Sequence, residues 1–193
     1  MTNIHSTRED WLTAAVEELR PVFDGIGRPV PQKIRVACGF PLDAKRSKAI
    51  GQCWADTASA DKSIEIMISP VLDDKVAVFE VLVHELCHAT AGAMNHGVNF
   101  QAAARSMLLK ATGSGKQPWK STAGDHNFLA AYAAMIDSLG DYPHAALTFN
   151  TRKTQSTRML KAFCPSCGYT VRLTQKWADL GLPTCVCGDT LTL

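Results

Sequence analysis

The chain has 193 residues, of which 46% are hydrophobic and 20% charged, with a formal net charge of +2. That balance excludes a disordered or fibrous chain and fits one substantial core, or one core with a small metal-stapled module. Trp11, Leu12, Val16, Leu19 and Val22 are spaced helically among charges, so neither a signal peptide nor a membrane span is expected. The expected location is cytoplasmic, with nucleoid association open, and no membrane partner is expected.

Ser6-Thr7-Arg8-Glu9 has the form of a capping box, and the apolar periodicity from Trp11 to Phe23 predicts a helix to about Pro21 or a little beyond. Three short alternating runs follow, at Ile34–Cys38, Ile50–Trp54 and Ile64–Ile68, and they predict strands of one small sheet. Asp73 or Asp74 can cap the next helix, whose apolar residues Val76, Phe79, Val83 and Leu86 are joined by Val78, Val81 and Leu82, so most of its sides are buried. Gly92 and Asn95 to Gly97 end it. A helix is expected from about Val98 to Leu109, a polar loop from Thr112 to Gly124, and a helix from Phe128 to Leu139 stopped by Gly140. The polar, basic run Thr151 to Thr157 is the expected linker. It divides the chain into residues 1–150 and 151–193.

The long apolar helix carries His84-Glu85-Leu86-Cys87-His88. Histidines four apart on a helix can present both imidazoles to one metal ion, and the intervening glutamate can reach a water held at the ion's open position. Three ionisable groups in an apolar surface are costly unless something such as a cation pairs with them. No glutamate follows Glu85, so the third ligand is assigned to His96, eight residues beyond His88. Asp125, His126, Asp137, Asp141 and His144 remain substitutes. Glu85 is the expected catalytic base, taking a proton from the water and passing it to the departing amine in peptide hydrolysis. The Asp141-Tyr142-Pro143-His144 segment could supply an oxyanion stabiliser, although a turn closing the preceding helix is the stronger reading.

Seven cysteines, an odd number, fit metal ligation better than disulfides. Cys38, Cys53 and Cys87 read as small apolar residues. Cys164-Pro-Ser-Cys167-Gly and Cys185-Val-Cys187-Gly form two knuckles, the second one residue shorter than the common Cys-x-x-Cys. Four thiolates close the coordination sphere, so this zinc would be structural. Two zinc ions per chain are therefore expected, one catalytic and one structural. Residues 151–193 carry six Lys/Arg against two Asp/Glu, while residues 1–150 carry 14 against 16. With Tyr169 and Trp177 interleaved among Arg152, Lys153, Arg158, Lys161, Arg172 and Lys176, this module fits a nucleic-acid surface better than the alternative, a cationic shell that balances a negative zinc-tetrathiolate.

The His84–His88 helix, His96-Gly97 with Phe100 beyond it, the preceding short strands and the cysteine knuckles together resemble the SprT-like metallopeptidases, which include the Spartan proteases. The resemblance covers roughly residues 5–110 and 150–193. It implies an α+β, zincin-like domain followed by a four-cysteine zinc ribbon, with zinc on His84, His88 and His96 and Glu85 as base. It further implies protein or peptide substrates associated with DNA, with single-stranded or junction DNA as a partner. Such folds pair the substrate with a sheet edge, for which Ser63–Ser69 is the candidate. The alternative is a non-catalytic nucleic-acid or transcription-associated binding protein that retains the scaffold.

Overall fold

A computed structural model describes residues 4–42, 49–92, 94–148 and 159–193. The chain divides into two compact units, residues 1–148 and 149–193. Both belong to a mixed α+β architecture with small sheets, and five α-helices are present among the described residues. None of these helices is long and apolar enough to cross a membrane. The expected linker lies at 151–157 and is outside the described residues.

Helix α1 spans Arg8–Gly25, and its N-cap is Thr7, whose hydroxyl accepts from the Asp10 amide. The cap thus falls one residue later than the expected box, since Ser6 instead donates to the Asp10 carboxylate. The helix also continues through Pro21. It buries Trp11, Leu12, Ala15, Val16, Leu19 and Phe23. Strands β1 (Ile34–Cys38), β2 (Gly51–Trp54) and β3 (Ile64–Ile68) form one sheet in the order β1-β3-β2, with β3 parallel to β1 and antiparallel to β2. Ile66 and Ile68 face the core, while Glu65 on the other face pairs with Arg35, its neighbour across the parallel ladder.

This strand order corrects one expectation. Both ladder sides of β3 are occupied, so the Ser63–Ser69 segment has no edge to offer a substrate. The edge next to the long helix belongs to β2.

Helix α2 (Lys75–Ala91) begins at Asp74, whose carboxylate accepts from the Ala77 amide, and ends at Gly92 in the left-handed region, φ 64°. Asp73 caps nothing here, because its carboxylate accepts from the Ala146 amide. Helix α3 (Val98–Ser106) is shorter than expected. Leu108 takes φ 62° and turns the chain into β4 (Leu109–Ala111), which pairs antiparallel with β5 (Thr122–Gly124). The expected polar loop therefore contains the second half of a hairpin. Helix α4 (Phe128–Ser138) packs Phe128 and Tyr132 against Phe79 of α2.

The chain after α4 is stitched to its beginning. The Arg8 guanidinium is buried and donates to the carbonyls of Pro143 (3.1 Å) and Ala145 (2.7 Å). Tyr142 lies buried edge-on to Trp11, with ring centroids 5.2 Å apart, and the Trp11 indole donates to the Gly140 carbonyl.

In the second unit, β6 (Leu160–Phe163) and β7 (Thr170–Leu173) form an antiparallel pair, and a short helix α5 (Gln175–Ala178) follows. Ala162, Cys164, Cys185 and Leu191 make a small core of their own.

Arg8→Met keeps the aliphatic stem but leaves two carbonyls without their charged donor. We expect a loss of about 2 kcal/mol in urea unfolding, against a negligible change for the exposed Lys110→Met, because a charge-assisted buried bond is worth about that much.

Candidate metal centres

Two segments supply the ligands of the first centre. His84 and His88 project from α2 one turn apart, and His96 comes from the connection to α3. The His96 Nε2 lies 3.3 Å from the His84 Nε2 and 3.2 Å from the His88 Nε2, and the ligand atoms of all three fall within 4.8 Å of one another. Zinc held tetrahedrally by bonds of about 2.0–2.1 Å places its nitrogens about 3.3 Å apart, so the spacing fits such an ion. Neutral imidazoles turned lone pair to lone pair repel each other, and a cation between them removes that cost.

The surroundings prepare these rings for ligation. The Phe100 ring is fully buried and touches all three, stacked on His88 at 4.3 Å between centroids and within 4.8 Å of His84 and of His96. It limits how far each imidazole can rotate. Thr122 Oγ1 lies 2.8 Å from His84 Nδ1. The tautomer in which Nδ1–H donates to that hydroxyl leaves Nε2 with its lone pair towards the centre. Thr122 is in turn placed by Glu80, one turn before His84, whose carboxylate accepts from the Gly124 amide at 2.9 Å and holds β5 against α2. Gln101 on α3 donates to the His96 carbonyl at 2.9 Å.

Burial, reinforced by His88 and His96, pushes the His84 imidazole down to about 3, and burial followed by Lys120 lowers His96. Both are held neutral, the state in which imidazole ligates metal. Glu85 is 5% exposed, and burial pushes its carboxyl up to about 8 in the metal-free protein. It points towards β2, where a Cβ added to Gly51 would stand 2.4 Å from Glu85 Oε1. Glycine at position 51 is what leaves room for the carboxylate. Cys53, two residues on, is buried, and its thiol is pushed up to about 12 by burial and then by Glu85, so it is an unreactive packing residue.

The other sequence candidates go elsewhere. Tyr142 is enclosed by Trp11 and the Arg8 guanidinium, and burial raises its phenol. His144 is exposed at φ 66° in the segment that Arg8 secures. Asp137 pairs with Lys75 at 2.8 Å, and Asp125 accepts from the Asn127 amide. None of these, nor His126 or Asp141, belongs to the histidine group. Sequence reasoning misses Thr122, Glu80 and Gly51 as parts of the site, and it marks Phe100 only through the family resemblance. A glycine two residues before a cysteine in a strand is a weak local signal for Gly51, and Thr122 carries none.

The second centre gathers Cys164, Cys167, Cys185 and Cys187. Their sulfurs stand 3.4 Å apart in the pairs 164/187 and 167/185, and 3.7 Å apart in the pair 187/167. These distances exclude a disulfide, whose sulfurs lie at about 2.05 Å, and approach the roughly 3.8 Å that tetrahedral zinc–thiolate bonds of about 2.3 Å impose. Gly168 and Gly188 take φ 73° and 95°. In the first knuckle the Gly168 amide closes on the Cys164 carbonyl, and in the shorter second one the Gly188 amide closes on the Cys185 carbonyl at 2.9 Å. The missing residue is absorbed by a turn one residue tighter. Backbone donors, the Cys167 amide foremost, push the Cys164 thiol down to about 7 and so favour the thiolate.

Compared with known proteins, the chain matches no family model, no curated protein and no solved structure. The assignment of these centres therefore rests on their geometry.

Native mass spectrometry of the zinc-loaded protein should find two ions per chain. His84→Ala should remove one and Cys167→Ser the other, and a wild-type protein that retains a single ion would contradict the two-centre arrangement.

The metal-free protein should show a peaked stability profile. The folded pKa of Glu85 lies above its reference value of 4.5, so protonating it stabilises the fold, progressively as pH falls from about 8. His84 and His96 lie below their reference value of 6.5, so stability present above pH 6.5 is lost below it, where unfolded imidazoles take up protons that the folded ones refuse. Urea midpoints of the chelated protein should be highest near pH 6.5 and decline on both sides. In Glu85→Gln the decline between pH 6.5 and about 8 should vanish.

Proposed function

We propose that this protein is a zinc-dependent endopeptidase of the SprT-like type, with a zincin-like first unit and a zinc ribbon as its second. The observation that carries the reading is the convergence of three imidazole nitrogens beside a carboxyl group that the chain keeps buried and unpaired with any cation among the described residues. His84, His88 and His96 would hold the ion and leave a coordination position free of protein ligands. A zinc ion bound there supplies Lewis acidity that polarises a carbonyl and makes a water easier to deprotonate.

The chain's own residues do the rest. Glu85 accepts the proton of the attacking water and returns it to the departing amine, and its burial strengthens both transfers by excluding bulk solvent. Gly51 keeps open the space in which that carboxylate swings. Among the described residues no strand pairs with the outer edge of β2, so the Gly51–Trp54 backbone is the place where an extended substrate can add to the sheet. A buried glutamate of this kind has no use in a mere scaffold, which favours catalysis over the binding-protein alternative.

The ribbon supports DNA-associated substrates. Lys161 and Arg172 stand directly opposite one another in the β6–β7 ladder and are both exposed, a like-charge pairing that destabilises a sheet unless an anion joins it. Phe163, Tyr169 and Trp177 are 41%, 55% and 57% exposed, and Lys176 lies 5.1 Å from the Trp177 ring. Cations beside open rings suit phosphates and unstacked bases, as in single-stranded or junction DNA. Arg152, Lys153 and Arg158 are outside the described residues.

The test is cleavage of a DNA-binding protein by the zinc-loaded chain, with and without single-stranded DNA. Glu85→Gln should reduce the rate by about 10³-fold or more while keeping both zinc ions. Lys161→Glu/Arg172→Glu should keep DNA-independent cleavage and lose the DNA-dependent part, with a smaller salt slope for DNA binding. Equal cleavage by Glu85→Gln would sink the mechanism.

A further inference from the structure

Beside His96 the chain forms a cleft of about 490 Å³, lined by Met94, Asn95, Gln101, Lys116, Trp119 and Lys120 among others. That size accommodates a few side chains of a bound peptide. One wall is the loop of the β4–β5 hairpin and the other is the start of α3, and His96 of the metal centre lines it between them.

Two properties distinguish this cleft. Its walls are braced: the Arg105 guanidinium lies 4.6 Å from the centre of the Trp119 ring, and Gln101, which lies between Arg105 and His96 in the hydrogen-bond chain, donates to the His96 carbonyl. Its charge is of one sign. Lys116 and Lys120 are exposed along it, neither makes an ion pair with a described residue, and no Asp or Glu is among the lining residues. Two uncompensated ammonium groups along one cleft attract a carboxylate and repel a cation.

We propose that Lys116 and Lys120 are specificity-determining residues, and that the cleft takes an acidic side chain of the substrate next to the scissile bond, with Trp119 packing against its aliphatic part. This rests on the peptidase reading given above and names the substrate class for that same centre: protein segments carrying Glu or Asp at the cut.

The test uses matched peptides of one sequence that differ only in Glu, Gln or Lys at single positions on either side of the cleaved bond, read in two ways. The first is kcat/KM with the zinc-loaded full chain. The second is affinity of the same peptides for the zinc-loaded Glu85→Gln chain, followed by Trp fluorescence or calorimetry. At one of these positions Glu should be preferred over Lys by about tenfold in both readings at low salt, the size two partly screened charge pairs produce. The preference should shrink as salt rises. Lys116→Glu/Lys120→Glu should invert it, and the milder Lys116→Gln/Lys120→Gln should erase it.

A selectivity ratio that stays the same in both double variants overturns the proposal, as does a wild-type preference for Lys. If no peptide is cleaved yet binding to the Glu85→Gln chain still favours Glu and loses that preference in the double variants, the peptidase reading fails and the acidic subsite stands. If cleavage proceeds with no charge preference at any position, the subsite fails and the peptidase reading stands.

Discussion

The arrangement depends on one conflict inside α2. The helix is buried along most of its length, with Val78, Phe79, Leu82, Val83, Leu86 and Cys87 fully enclosed, yet the same stretch carries Glu80, His84, Glu85 and His88. Each of these would destabilise the core if left charged and alone. The fold resolves the conflict differently for each. Glu80 takes a backbone amide of β5, His84 takes the Thr122 hydroxyl, and the imidazoles turn their remaining nitrogens to a common point. Only Glu85 keeps a carboxyl that burial pushes up to about 8. A cation at the common point would offset the cost for the histidines and the glutamate together, so metal binding is also folding energy for this unit.

The β4–β5 hairpin matters more than its six strand residues suggest. Through Thr122 it orients the first ligand, and through Trp119 and Lys120 it reaches the open side of the third. It is itself placed from below by Glu80 and from behind by Phe128, whose Cβ and Cγ would lie 2.7 Å from a side chain at Gly124. Position 124 has to be glycine for β5 to lie this close to α2 and α4. One short hairpin thus couples the geometry of the metal ligands to the character of the cleft beside them.

These dependencies explain what the chain's own order of residues could and could not disclose. The helices and the three-stranded sheet were legible because long periodic runs such as Trp11 to Phe23 and the alternation of Ile64, Ile66 and Ile68 are local properties. The histidine and cysteine groups were legible because metal ligation imposes fixed spacings. The hairpin was not: Leu109-Lys-Ala and Thr122-Ala-Gly are three residues each, too short for alternation or branching to register as a strand, and they are extended because of each other. Strand order was equally hidden. Ser63–Ser69 has the best strand pattern because it is the central strand, and for that reason it cannot be an edge; β2, with glycine and glutamine, looks weaker because it is one. The oxyanion candidate Tyr142 failed on a long-range contact, its burial between Arg8 and Trp11 from the opposite end of the unit's sequence.

The two centres differ in a way that separates their chemistry. Four sulfurs complete a tetrahedron, and the knuckle glycines turn backbone donors towards them, so nothing at the second centre is left to react. Three nitrogens do not complete one, and one of the three residues that supply them, His96, also lines a cleft. The burial terms point the same way: Cys53 and Cys87, close to Glu85 in the core, are both held as inert thiols, while the one buried carboxylate beside the open centre is given room by a glycine instead of being filled in. A centre that served only to hold the fold together would gain stability from a fourth ligand and from a side chain at position 51. Among the described residues neither is present, which agrees with the peptidase reading proposed above.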